Sequence, residues 1–200
     1  AITTGGSPNI NDLNHLRELG HEIETPIPSL FTFNIADKKV LALMGTVVNP
    51  VMTSISSTKF RSQGPLLVTH WGFSGPAILK LSSHAARYLH ENNYNVDISV
   101  NWTNVANHSE IEEYIKNIVN ENPNKQLASL RPYDMPSRLW TYIIEKLTVP
   151  KEKKWSELGK SGINRMIEAL TNDIYHIKGK GAYRDEFVTC GGVSLSDIDY

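Results

Sequence analysis

The apolar residues change period twice along this chain, near Asn107 and again near Thr171, and that double switch limits the fold more than any other feature. Before the first switch they alternate. Phe31, Phe33 and Ile35 share one face, and Val96, Ile98, Val100 and Trp102 stand opposite Asp97, Ser99 and Asn101. Between the switches they recur every three or four residues, as in Ile111, Tyr114, Ile115, Ile118 and Val119, and in Leu139, Trp140, Ile143, Ile144 and Leu147. After Thr171 strand character returns in Asp173–Ile177 and Phe187–Cys190. A β-rich unit with a helical subdomain inserted into it, of α+β class, satisfies this order.

Local signals refine the boundaries. Leu13, Leu16 and Leu19 mark a short helix that Gly20 ends. Ala36–Lys39 is a polar turn, and the β-rich stretch from Val40 to Val51 is broken by Gly45 and Pro50, which suits a barrel corner. Leu66–His70 is a buried strand. Ser74 then caps one long helix, with Pro76 in its first turn and Ile78, Leu81, Ala85, Ala86 and Leu89 inward, ending at Asn92–Asn93. Ser109 and Glu112 form a capping box, Pro123 stops that helix, Pro136 opens another, and Ser161–Leu170 is a third.

Composition removes several functions. Twenty Lys and Arg against 21 Asp and Glu give a formal charge of -1, which argues against nucleic acid as a partner. One cysteine, Cys190, excludes an internal disulfide and fits a reducing, cytoplasmic setting, with a buried thiol as its ordinary state. No apolar run is long enough to span a membrane, and the first residues carry no secretory signal. The absence of an initiator Met points to a processed or excised chain.

The segment Thr69–Pro76 concentrates chemistry. It joins a strand end, an imidazole, an indole and two glycines to a helix start. An imidazole can exchange a proton under mild conditions, so His70 is the candidate catalytic proton donor, with Trp71, Phe73 and Ser74 as substrate-pocket residues. The plainer reading makes the glycines a turn, Ser74 a cap, and His70 and Trp71 packing groups. A hydrolase elbow does not fit, because the second glycine falls one residue early. The other histidines lack metal-ligand spacing, so no metal is expected. No Gly-x-Gly-x-x-Gly follows a strand, so the chain has no complete Rossmann unit, and there is no Walker loop.

Taken in order, Thr4-Gly5-Gly6-Ser7-Pro8, Leu19-Gly20-His21, Pro28-Ser29-Leu30, the run from Gly64 to Leu79, and Phe187 to Leu195 resemble the BaiN-like, aminoacetone oxidase family of NAD(P)/FAD-dependent oxidoreductases. The resemblance implies the middle of a longer flavoprotein, with residues 25–107 and 171–190 as a barrel-like, mostly antiparallel insert domain and 108–170 as its helical subdomain. It makes residues 1–24 the edge of the FAD-binding domain and 191–200 the return to it. Thr4, Gly5, Gly6, Gly191 and Gly192 would contact FAD only in the full-length protein, with NAD(P)H as reductant and no cofactor on this fragment. The partners implied are the missing FAD-binding halves and a small-molecule substrate, without a membrane. Asn9–Asp12 is shorter than the Gly-Asp-Gly stretch many members carry. On this footing the region covers the flavin, shapes the substrate pocket and is inactive alone. The other class is a self-standing ligand- or protein-binding α+β module without catalysis.

Overall fold

The computed structural model describes residues 10–180 and 188–198. Its frame is a closed barrel of six strands in the order β2-β5-β4-β3-β6-β7, every neighbouring pair antiparallel. The strands are β2 (Phe33–Ile35), β3 (Val47–Ile55), β4 (Arg61–Val68), β5 (Gly72–Ser74), β6 (Asp97–Asn101) and β7 (Asp173–Lys180). Period-two patterning puts Phe33, Val51, Ile55, Leu66, Val68, Phe73, Ile98, Val100 and Ile177 inside, all within 1% of complete burial. Each such side chain contributes roughly 1.5–3 kcal/mol relative to exposure. Closure at the short strands requires Gly72, because a Cβ there would lie 2.1 Å from the Phe33 carbonyl oxygen.

Two further strands, β1 (Ile23–Ser29) and β8 (Val188–Val193), lie outside the barrel and form an antiparallel ribbon. Ile23 is paired with Val193 and Ser29 with Val188, so the two crossings of the chain run side by side. The β-rich stretch beginning at residue 25 thus splits into ribbon and barrel.

Helices close the rims. The short α1 (Asn14–Glu18) precedes the ribbon and ends at Gly20, φ 95°. The stretch expected as a polar turn holds α2 (Lys38–Leu41), because the Asp37 carboxylate accepts the Lys39 N–H at 2.8 Å and caps it. The single helix expected after Ser74 is two, α3 (Pro76–His84) and α4 (Ala86–Glu91), broken at Ala85, φ -104° and ψ 15°. Ser74 is strand and caps nothing. Gly75 is the N-cap, and its φ of 92° places it against Pro65 and Leu66.

Between β6 and β7 stand α5 (His108–Glu121), α6 (Ser137–Lys146) and α7 (Gly159–Thr171), joined by loops with short 3-10 turns. Asn107, not Ser109, caps α5, accepting the Ser109 N–H at 3.0 Å. Inside this unit Trp140 and Trp155 stack with ring planes 7° apart, and the Trp140 indole donates to the Leu127 carbonyl at 2.7 Å. Arg138 fastens it to the turn between α2 and β3 through the carbonyls of Ala42 and Met44. Among the described residues no helix is long and apolar enough to cross a membrane.

Candidate functional site

His70 and Trp71 are the two tip residues of the hairpin joining β4 to β5. Thr69 locks it: its N–H donates to the Gly72 carbonyl at 2.7 Å, its hydroxyl to the same oxygen at 3.0 Å, and the Gly72 N–H returns to that hydroxyl at 3.2 Å. The Trp71 carbonyl accepts the Ile35 N–H at 2.9 Å, tying the tip to β2. The imidazole is exposed and lies 3.9 Å from the Trp71 ring, centre to centre. A titratable ring on a turn held at four points is what positioned proton transfer requires.

The other expected pocket residues do not join them. Phe73 is fully buried, edge-on to Tyr175 at 4.9 Å and to Trp102 at 6.0 Å, so it is barrel core and not an accessible wall. Ser74 is half-buried opposite Leu67. Gly191 lies in β8, where a Cβ would meet the Thr25 carbonyl at 2.7 Å, so its missing side chain serves ribbon pairing; Gly192 has open space beside it. Thr4, Gly5 and Gly6 lie outside the described residues. Cys190 is half-buried in the ribbon.

Sequence reasoning missed a buried polar cluster where barrel and helical unit meet. The Asp173 carboxylate, 2% exposed, accepts the Trp102 indole N–H at 2.9 Å and the Tyr175 hydroxyl, and pairs with the Lys146 ammonium. Burial first, then the Asp173 charge, pushes the Tyr175 phenol well up. Burial likewise raises Tyr142. For Lys146 burial pulls downward, but the Asp173 hydrogen bond and charge outweigh it and the ammonium is held above its usual value. No local pattern announces a cluster drawn from the residue after β6, from α6 and from β7.

A cleft of about 640 Å³ separates the outer wall of β4, β3 and β6 from the start of α5 and the end of α7. Arg61, Gln63, Ser54, Ser99, Asn101 and His108 supply its polar lining.

FAD does not fit the described residues alone. Every described strand pair is antiparallel, so no βαβ turn is present to cradle a pyrophosphate. Among the described residues no cluster of His, Cys, Asp or Glu could hold a metal.

A family model described as the HI0933-like protein barrel and H2TH domain matches residues 27–188. The chain is 28% identical over 183 residues to a ribosomal RNA dihydrouridine synthase of Haemophilus influenzae, covering 90% of this chain and 42% of that protein. It is 27% identical over 161 residues to a protein of the same name in Escherichia coli, covering 80% of this chain and 37% of that one. It therefore spans about two fifths of the length of these curated relatives.

Proposed function

The chain belongs to the HI0933-like family, a family of FAD-dependent oxidoreductase-like proteins, and from that footing we propose that it is the barrel and helical part of a flavoenzyme that reduces uridine in ribosomal RNA. The names of both relatives support this substrate in preference to a BaiN-type one. Flavin and NAD(P)H bind the remainder of the protein, and this part covers the flavin and shapes the pocket. The observation that carries the reading is the ribbon. Pairing of Ile23 with Val193 brings the chain in and out at one place, the geometry of a unit inserted into a larger protein.

Converting uridine to dihydrouridine adds a hydride and a proton across one ring double bond. We assign the proton to His70, on its locked turn, and the pocket wall to Trp71. An RNA substrate departs from the expectation drawn from net charge, which averages over a surface on which cations can still cluster.

The test uses the full-length protein. His70→Ala should slow RNA-dependent reoxidation of the reduced flavin by roughly 10²-fold, with flavin content and melting temperature unchanged. Normal turnover would remove His70 from the site.

A further inference from the structure

The 640 Å³ cleft has no role in the reaction described above, and its chemistry is one-sided. No carboxylate lines it, whereas Arg61 and His108 do. Its volume falls within the roughly 300–1,000 Å³ of small-molecule sites. Its walls are fixed by their own hydrogen bonds. The Asn101 side chain accepts the Thr103 N–H at 3.0 Å and donates to the Val105 carbonyl at 2.8 Å, and Asn172 accepts the Ser99 hydroxyl at 2.6 Å. Against these rigid walls, the side chains of Arg61, Gln63 and Ser54 engage no hydrogen-bond or ion-pair partner among the described residues. His108 opens α5, so that helix's positive end adds to the same side. Glu112, one turn further on, is already neutralised by Lys116 at 2.6 Å. Met52, Val105 and Ile111 supply an apolar floor.

We propose that this cleft holds an RNA nucleotide several positions along the strand from the uridine to be reduced, the length of β4 lying between Arg61 and His70, with its phosphate on Arg61 and His108 and its unstacked base over Met52, Val105 and Ile111. The proposal rests on the uridine-reductase reading for its choice of RNA. Gln63 and Ser54 provide the remaining hydrogen bonds to ribose or base edge. Phosphate contacts of this kind set the register of a nucleic acid without reading its sequence.

The experiment uses the full-length flavin-loaded protein and a short fluorescein-labelled single-stranded RNA, with the dissociation constant followed by anisotropy over a range of salt. Arg61→Ala should weaken binding about fivefold, the upper end for an exposed ion pair. It should also reduce the slope of log K against log salt by about 0.7, the value for one single-strand phosphate. Arg61→Lys should restore most of the slope. At saturating RNA the turnover rate should be unchanged and only KM raised. Unaltered affinity and slope in both Arg61→Ala and His108→Ala would overturn the site, as would a wild-type protein that binds no RNA. Arg61-dependent RNA binding by a protein that forms no dihydrouridine would uphold the cleft and remove the uridine reading.

Discussion

Deleting the Asp173 carboxylate separates a polar tie from ordinary barrel packing. Asp173 opens β7, its indole partner Trp102 follows β6, and its cationic partner Lys146 ends α6, so one side chain joins barrel to helical unit. Asp173→Ala leaves the Trp102 N–H buried without an acceptor, at about 1–3 kcal/mol, and leaves the Tyr175 O–H only the neighbouring Tyr142 hydroxyl to turn to. Lys146 is 38% exposed, so it turns to water and adds little. The expected loss is about 2–4 kcal/mol, the unpaired indole plus part of the phenol's lost bond. For a chain of this size that lowers Tm by about 4–16 °C. Urea denaturation followed by tryptophan fluorescence, with calorimetry for Tm, measures it. Asp173→Asn, which keeps one acceptor, should lose about half as much, whereas Lys146→Met, which strips the counter-ion from a buried carboxylate, should lose about 3 kcal/mol. A loss under about 1 kcal/mol in Asp173→Ala would refute the reasoning, because the two buried donors would then have found other partners.

Alkaline pH should destabilise the chain. Tyr175, Tyr142 and Lys146 all keep their protons more tightly folded than unfolded, so their contribution is complete below the ordinary values of 10.0 and 10.5 and is lost as pH rises through the raised ones. A Tm that stays flat between neutral pH and about 11 would contradict this. Gly72→Ala should cost roughly 3 kcal/mol or more, since its Cβ would overlap β2 backbone, whereas Gly45→Ala, with nothing within 4 Å, should cost about 1 kcal/mol for its φ alone; equal losses in denaturant titrations would sink the contrast. The isolated chain should retain no flavin after incubation with FAD and desalting, and a yellow protein would count against it.

Where the sequence pattern was local, it was legible. The alternation Val96, Ile98, Val100, Trp102 is the buried face of β6 and the residue on either side of it. The stripe Ile111, Ile115, Ile118 is the buried face of α5. The α+β class follows from such runs and the barrel-like sheet from the family resemblance, and the barrel is closed. What was not legible depended on distance. The break at Ala85 carries no glycine or proline, and the four residues of α2 are too few to show a period. Asp173 meets Trp102 across 71 positions and Lys146 across 27, which no window can see. At the candidate site, His70 and Trp71 were found because the hairpin is contiguous. Phe73 was misplaced because alternation does not say which face of a short strand is the core. Arg61 and His108 come together only through folding.

The central claim is that this unit serves a flavoenzyme that reduces uridine in RNA. Its most direct test is to incubate the full-length flavin-loaded protein with NADPH and unmodified ribosomal RNA, then digest the RNA and quantify dihydrouridine by mass spectrometry. The account predicts that dihydrouridine accumulates with time, and that it is lost when residues 27–188 are replaced by a short Gly-Ser linker in a variant that still holds its flavin. Flavin that NADPH reduces while every uridine in the RNA stays intact would contradict it.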